Sequence, residues 1–514
     1  MPDSGPPDSG PPHSAAPPEA YLALEGRFRR LGALGEASAI LGWDLAVMMP
    51  AGSGPARGEQ LAALAVTRHE LLTDPRVADW LAAAEAASNA LDDWQRANLG
   101  EMRRIHRHAT ALDGPLGEAR AKAWLSCEAT WRDARQRADF QAVLPALSEV
   151  VRLTRESAGR KAAVLGCSPY EALLDAFEPG GKEAAIAAIF ERLARELPPL
   201  LAQVLERQRR RPAPLLPAGP FPIAAQEQLG RRLMGLVGFD FARGRLDVSA
   251  HPFSGGTPDD IRITTRYDRA DFTRALMGVL HETGHAMYEA GLPAAWRRQP
   301  VGEARGMTLH ESQSLLVEMQ AARSPEFVGF LAPLAAAAFG GSGPAWSAAN
   351  LTRLYHKVEP GFIRVDADEV TYPAHVILRF RLERAIIAGD LALADLPGAW
   401  NEGLRDLLGI VPPNDALGCL QDIHWYDGGF GYFPTYTLGA MTAAQLFAAA
   451  KAERPEIPAA LAGGDFRPLM GWLGERVHGR ASSASTDAIV AAATGRPLDP
   501  DLFLRHLRTR YLED

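Results

Sequence analysis

The chain has 514 residues, of which 47% are apolar, and a formal net charge of −8 at pH 7. The apolar content is sufficient for a large core, and the negative charge argues against a nucleic-acid partner, which requires a basic face. No apolar run reaches the roughly 18 residues of a membrane span. The three cysteines, Cys127, Cys167 and Cys419, are widely separated, which indicates reduced thiols in a cytoplasmic protein.

Residues 1–18 contain seven prolines and repeat the sequence Asp-Ser-Gly-Pro-Pro at 3–7 and 8–12. They have neither the basic start nor the apolar middle of a signal peptide. This composition predicts a disordered, Pro-rich N-terminus.

From Glu19 onward, apolar residues recur at three- and four-residue spacing among Ala, Leu, Glu and Arg, the pattern of amphipathic helices. The predicted helices cover residues 19–43, 56–73, 75–88, 91–111, 116–137, 139–165, 169–177 and 182–209. They predict an N-terminal helical lobe over 19–209. No fixed-period repeat is present, so a solenoid is not expected.

Residues 210–222 are rich in proline and predict a linker or a long surface loop. A helix is predicted over 224–237, followed by two β-branched, alternating segments at 246–251 and 261–267 that predict strands of a small sheet. The following helix has Asp268 or Asp271 as its N-cap and Gly291 as its C-cap, and helices return from residue 308. We therefore predict a mainly α-helical fold in one domain, 19–514, with its catalytic part over about 223–514.

The helix after the strands carries His281-Glu282-Thr283-Gly284-His285, an H-E-x-x-H pattern. Histidines at i and i+4 lie on one face of a helix, so both imidazoles can reach one ion. Zinc at such a site acidifies a water molecule, and an adjacent carboxylate can take the proton while the water attacks a carbonyl. The pattern predicts His281 and His285 as metal ligands and Glu282 as the general base.

Catalytic zinc sites use three protein ligands and leave one position open. The third candidate is Glu311, 26 residues after His285, with the adjacent His310 as its rival. No further histidine follows His285 at the longer H-E-x-x-H-x-x-G-x-x-H spacing. We prefer Glu311 because a glutamate on a following helix completes the shorter motif.

The chain resembles the carboxypeptidase Taq family of metallocarboxypeptidases. The resemblance rests on the H-E-T-G-H and H-E-S-Q segments and on several further motifs in the same order along about 20–510. These motifs are Trp43-Asp44, the H-P-F of residues 251–253, the D-x-R-x-T of 260–264, the I-R-x-x-A-D of 363–368 and the G-x-x-Q-D-x-H-W of 418–425. Leu315 departs from the pattern, since arginine is often found there, and puts a secondary salt bridge in doubt.

The resemblance implies a helical fold with a small sheet beside a deep active-site groove, and a homodimer. It also implies broad-specificity removal of single residues from peptide C-termini, with Zn²⁺ as the usual metal and Co²⁺ able to replace it. His424 and Tyr436 are similar to the histidine and tyrosine that stabilise the oxyanion in related helical zinc peptidases. Tyr432 and Tyr426 are the rivals for the tyrosine role.

A carboxypeptidase must hold a free carboxylate, and arginine does this well through its two-pronged guanidinium. Arg364 and Arg262 both lie in matched motifs, and Arg364 is the first choice as anchor. His251 is a candidate for lining the groove. The substrate-binding prediction therefore comprises these three residues.

Other readings of the same residues remain open at this point. An oligopeptidase that cuts short peptides internally would have a similar groove and metal site. A catalytically silent peptide-binding protein would keep the fold, although the presence of Glu282 argues against it. A metal-dependent hydrolase of a non-peptide amide is the third alternative.

Overall fold

The computed structural model describes residues 17–249 and 251–513. Within them the protein is mainly helical with one small sheet, which confirms the predicted fold class. The helices before the sheet are α1 Glu19–Val47, α2 Gly54–Thr73, α3 Pro75–Ala86, α4 Asp93–Thr110, α5 Gly114–Arg137, α6 Phe140–Leu165, α7 Pro169–Leu174, α8 Glu183–Arg209 and α9 Ile223–Val237. The helices after it are α10 Phe272–Ala290, α11 Gly306–Leu315, α12 Pro325–Phe339, α13 Ala348–Tyr355, α14 Tyr372–Ala388, α15 Leu396–Leu408, α16 Pro434–Glu453, α17 Ile457–Ala462, α18 Arg467–Arg476, α19 Thr486–Thr494 and α20 Pro500–Leu512.

Local capping chemistry explains several helix starts. Asp92 and Gln95 form a reciprocal capping box at the start of α4, and Ser168 and Glu171 form another at the start of α7. These side chains satisfy main-chain N–H groups that have no partner within the helix. The helix bounds differ from the predicted ones by only a few residues.

The sheet has three strands, β1 Gly244–Val248, β2 Ser254–Thr257 and β3 Asp260–Thr265, in the order β1-β3-β2. β3 pairs with β1 in parallel and with β2 antiparallel. The prediction of two strands was therefore incomplete: it treated Ser254–Thr257 as a connection, because this segment contains two glycines and only one β-branched residue. Its strand character comes from pairing with β3, which local sequence does not show.

The sheet packs against α10 through alternate residues of its central strand. Ile261 and Ile263 are buried and share a small core with Val279 and Ala286 of α10. The intervening Arg262 projects from the opposite face, since successive side chains of a strand point to opposite sides. β3 thereby supports the helix that carries the H-E-x-x-H pattern.

Two larger cores organise the helices. One contains residues of α1, α3 and α4, including Tyr21, Leu24 and Phe28. The other runs continuously from α5 through to α20. Helices α5–α9 therefore share their core with the helices that follow the sheet.

Residues 210–222 form an irregular segment that is held against α13. The side chain of Asn350 accepts from the Leu215 main-chain N–H and donates to its carbonyl, both at 2.8 Å.

The three cysteines, Cys127, Cys167 and Cys419, are free thiols. No helix of the described residues is long and apolar enough to cross a membrane. Residues 1–16 of the predicted disordered N-terminus lie outside the described residues.

Candidate metal centre and its surroundings

The middle of α10 carries His281, Glu282 and His285. The helix begins after Asp271, whose carboxylate accepts the Thr273 main-chain N–H at 2.8 Å. The two imidazole rings lie one turn apart on one face, with their centroids separated by 5.0 Å. The helix therefore presents both rings in the same direction.

Two glycines allow α11 to bring Glu311 close to these rings. A Cβ at Gly284 of α10 would lie 2.5 Å from the Gln313 carbonyl oxygen of α11. On the other side, a Cβ at Gly439 of α16 would lie 2.9 Å from both the Cβ and the Cγ of Glu311. Any larger residue at either position would push α11 away from its neighbour.

The possible ligand atoms of His281, His285 and Glu311 all lie within 4.8 Å of one another. His285 Nε2 and Glu311 Oε2 are 3.5 Å apart. Two imidazoles and one carboxylate are a donor set of catalytic zinc sites. These residues therefore fit a divalent metal ion.

A carboxylate fixes the orientation of His281. Its Nδ1 lies 3.0 Å from Glu318 Oε2, on the π-helical segment Leu316–Ala322 that continues α11. Arg323 pairs with the other oxygen of Glu318. The contact at Nδ1 leaves Nε2 of His281 for the metal.

His285 is oriented through His310. The two Nδ1 atoms are 2.7 Å apart, and His310 Nε2 lies 2.8 Å from Glu289 Oε1. If His310 is neutral and donates from Nε2 to Glu289, its Nδ1 accepts from the Nδ1–H of His285. That arrangement leaves the lone pair of His285 Nε2 for the metal. His310 then contacts a metal ligand and is not itself a ligand.

The electrostatics of the site favour a bound cation. Burial alone would lower the pKa of His281, but Glu318, Glu311 and Glu282 raise it to about 10, so without a metal the ring holds a proton that a bound metal ion would displace. Burial raises the pKa of Glu311, but the hydrogen bond with His285 and the charge of His281 hold it below its usual range. Several carboxylates thus share one buried pocket, and a divalent ion would balance their charge.

His285 and Glu282 have pKa values suited to different tasks. Burial lowers the pKa of His285 to about 4, which keeps it neutral and able to bind metal. Burial, with the carboxylate of Glu311 opposed by His281, raises the pKa of Glu282 to about 7. Among the described residues no hydrogen-bond partner engages the Glu282 carboxylate, so it is available to a substrate or to water.

His424 and Tyr436 form a second polar group at the start of α16. His424 Nε2 lies 3.3 Å from the Tyr436 hydroxyl. Burial raises the pKa of Tyr436 to about 12, and burial together with Arg364 lowers the pKa of His424 to about 4. Both side chains are therefore neutral at pH 7, and the tyrosine keeps its proton to donate.

The rival tyrosines differ in their surroundings. Tyr426 is fully buried and donates its hydroxyl to the Cys419 carbonyl at 3.0 Å. Tyr432 packs against His424 and Tyr436: its ring centroid is 5.1 Å from that of Tyr436 and 5.5 Å from that of His424. Tyr436 and Tyr432 therefore share one environment, and Tyr426 has a structural partner elsewhere.

Arg364 is buried beside Tyr436, with its Cζ 4.5 Å from the tyrosine ring centroid. Its Nε and Nη2 both donate to Asp422, at 3.1 and 2.9 Å, and Arg379 pairs with the same carboxylate. The two-pronged face that the sequence suggested for a substrate carboxylate is thus occupied by Asp422. Nη1 is the nitrogen outside this pair.

Arg262 lies on β3, and His251 lies in the connection between β1 and β2. Arg262 forms a two-pronged ion pair with Asp260, at 3.0 and 2.6 Å, and stacks over Trp43. His251 is exposed, and its carbonyl accepts from Ser249. Within residues 17–249 and 251–513, no hydrogen bond, ion pair or ring contact joins either residue to the metal-binding group.

Sequence reasoning left several contributing residues out of the candidate site. Glu318 and Glu289 lie one or two turns beyond the ligands, where helix position alone does not show whether a side chain is exposed or faces a histidine. Asp422 lies inside a motif that was recognised, yet its role depends on two arginines distant in sequence. Tyr372 gave no local signal; its ring centroid lies 6.3 Å from that of Tyr436.

Comparison with known proteins adds independent information. The family model described as carboxypeptidase Taq (M32) metallopeptidase matches residues 23–511. The chain is 37% identical to thermostable carboxypeptidase 1 of Thermus thermophilus over 96% of this chain and 99% of the relative. It is 32% identical to carboxypeptidase 1 of Bacillus subtilis over 94% and 96%. The solved structure of Trypanosoma cruzi metallocarboxypeptidase 1 superposes with a TM-score of 0.94 at 40% identity, covering 96% of this chain and 99% of that one.

Proposed function

This chain belongs to the carboxypeptidase Taq (M32) metallopeptidase family and is a metal-dependent carboxypeptidase; we propose that His281, His285 and Glu311 hold its metal and that Glu282 is its general base. The observation that carries the proposal is the convergence of three ligand atoms within 4.8 Å of one another. Glu282, adjacent in sequence to one of these ligands, is buried and has no competing hydrogen bond among the described residues. The donor set favours Zn²⁺, and the family resemblance supports Co²⁺ as a substitute.

A divalent ion bound by these residues would supply Lewis acidity to the attacking water and to the scissile carbonyl. Glu282 takes the proton of the attacking water and delivers it to the leaving amine nitrogen. Burial of the Glu282 carboxyl disfavours its charged form, which helps it to hold the proton between the two transfers. Glu318 and His310 keep the two imidazoles in the orientation that binding requires.

Tyr436 and His424 are proposed to stabilise the developing oxyanion. The neutral phenol can donate a hydrogen bond from a buried position, where such bonds are stronger than in water. Arg364 adds a fixed positive charge beside the tyrosine and is proposed to contact the substrate C-terminal carboxylate end-on through Nη1. Arg262 and His251 are proposed to contact the peptide further along the groove.

The protein is further proposed to act on peptides with a free C-terminus, as a homodimer in the cytoplasm. The free thiols of the three cysteines are consistent with a reducing compartment. The dimer is supported by family resemblance. Light scattering coupled to size-exclusion chromatography tests it directly, since a mass near 55 kDa instead of twice that value would contradict it.

The function is tested by a mass-spectrometric time course on an unblocked peptide of ten residues or so, with Glu282→Gln as the control. A ladder that shortens by one residue at a time from the C-terminus, absent in the variant, is expected. A C-terminally amidated copy of the peptide should lose most of the cleavage. Internal fragments would instead indicate an oligopeptidase, and no cleavage with Zn²⁺ or Co²⁺ supplied would contradict the proposal.

A further inference from the structure

A cavity lies away from the proposed metal-binding and catalytic residues. Its volume is about 710 Å³, within the range of small-molecule sites, which is about 300–1,000 Å³. The end of α8, residues 211–214 and parts of α12, α13, α16, α17 and α20 line it. None of the proposed metal, catalytic or substrate-binding residues belongs to the lining.

The lining combines apolar surface with positive charge. Seven of its residues are lysine or arginine and two are glutamate. Pro212, Pro214 and Pro458 contribute apolar surface to the lining. A cavity with apolar walls and a few cationic groups favours a ligand that has an apolar body and a negatively charged group.

Two of the cations form no ion pair within residues 17–249 and 251–513, although the charge of Glu326, which also lines the cavity, acts on Lys451. Arg353 makes only long contacts, 3.5 Å to the Pro212 carbonyl and 3.4 Å to Asn350, and its buried Nε has no acceptor. Lys451 lies over the Phe447 ring, with Nζ 4.5 Å from the centroid. By contrast, Arg510 of the same lining is paired with Glu369 at 2.8 Å. Arg353 and Lys451 are therefore available to an anion, and Arg510 has a structural role.

One wall of the cavity is preformed. Residues 211–214 of the Pro-rich segment 210–222 build it, and Asn350 clamps the adjacent Leu215 at both its N–H and its carbonyl. Because Asn350 and Arg353 lie on the same helix, the clamp also fixes the arginine relative to the wall. The site therefore does not need a large rearrangement to accept a ligand.

We propose that this cavity binds a small amphipathic anion, with Arg353 and Lys451 holding its carboxylate, phosphate or sulfonate group and Pro212 and Pro458 contacting its apolar body. The inference is independent of the peptidase site. It requires no catalytic step.

The test is a fluorescence titration of the metal-loaded protein with 1-anilinonaphthalene-8-sulfonate, an aromatic sulfonate. We expect saturable binding that Lys451→Glu and Arg353→Gln each weaken by about tenfold, the loss typical of one charge-assisted contact. Lys182→Glu and Arg29→Gln, which change exposed residues outside the cavity, should bind the dye like the parent. Equal binding by all five proteins, or no binding by the parent, would overturn the proposal.

Competition identifies the site and the ligand class. In the Glu282→Gln background an uncleaved peptide should leave the dye bound, whereas displacement would place the dye in the peptide groove and overturn the inference. Decanoate or decyl phosphate should displace it, and the stronger of the two identifies the preferred head group. Equal displacement by acetate would show a simple anion site, and equal displacement by decanol a simple apolar one; either would contradict the amphipathic assignment.

Discussion

Gly284 of α10 lies directly against the main chain of Gln313 of α11, so closely that a Cβ would come 2.5 Å from the carbonyl oxygen. The same two helices supply all three proposed metal ligands. The separation between the helices therefore sets the distance between the histidines and Glu311. A residue with no role in catalysis thus controls the geometry of the metal site.

We predict that Gly284→Ala weakens metal binding and destabilises the protein by about 1–3 kcal/mol, the usual cost of overpacking a core. The helices must separate by several tenths of an ångström or more, which moves Glu311 from the histidines. Zinc affinity by chelator competition and thermal unfolding of the metal-free protein measure the two effects. Gly278→Ala is the matched control, because a Cβ there meets nothing within 4 Å; similar behaviour of both variants would contradict the prediction.

Glu318→Gln should lower zinc affinity by about 10- to 100-fold, the effect common for a partner of a metal-bound histidine. The amide can still accept from His281, but it removes the negative charge that strengthens the imidazole as a ligand. Chelator competition measures the affinity, and Glu206→Gln, an exposed glutamate of α8, is the control. An unchanged affinity in Glu318→Gln would show that the contact only positions the ring.

Tyr436→Phe should lower kcat by about 10²–10³, the range for loss of one oxyanion donor, with little change in KM. The hydroxyl is proposed to act only as charge develops on the substrate. Steady-state kinetics on an unblocked peptide measures both constants. Tyr426→Phe is the comparison, since its hydroxyl bonds the Cys419 carbonyl and its loss should affect stability alone. A kcat loss confined to Tyr432→Phe would transfer the role to that residue.

Asp422→Asn should destabilise the protein by about 3–5 kcal/mol, because it leaves Arg364 and Arg379 as buried charges without their counter-ion. The arginine nearest the substrate also loses its fixed position, so KM should rise. Chemical denaturation and peptide kinetics measure the two consequences. Asp366→Asn is the control from the neighbouring motif: its ion pair with Arg274 is exposed, and such pairs contribute less than about 1 kcal/mol.

The same aspartate predicts a dependence of stability on pH. Burial alone would raise the pKa of Asp422, but Arg364 and Arg379 hold it far below its usual range. A carboxyl whose folded pKa is lowered stabilises the protein above its unfolded pKa, and this stabilisation is lost as the pH falls below about 4. Unfolding free energies from pH 7 to pH 3 should therefore fall more steeply in the parent than in Asp422→Asn. Parallel curves would contradict the assignment.

Much of the fold was predictable because an α-helix is marked by residues close together in the sequence. Apolar spacing and capping residues located the helices of the first half to within a few residues, and Asp271 and Gly291 marked the ends of α10. Strand β2 was missed because its glycines resemble a turn until β3 is present to pair with it. Arg364 had been chosen as an anchor on chemical grounds, yet only the fold shows that Asp422 occupies its two-pronged face.

The sequence alone determined the placement of His281, Glu282 and His285 on one helix, because the period of the α-helix fixes the relation of residues four apart. The need for a third ligand on a following helix extended this to Glu311, and family resemblance extended it to the carboxypeptidase activity. The tertiary structure decided which side chains hydrogen-bond the ligand histidines and which tyrosine contacts His424. It also decided that residues 211–214 of the segment 210–222 line a cavity. These relations join residues far apart in the chain, and their contacts arise only when helices from different parts of the sequence pack together.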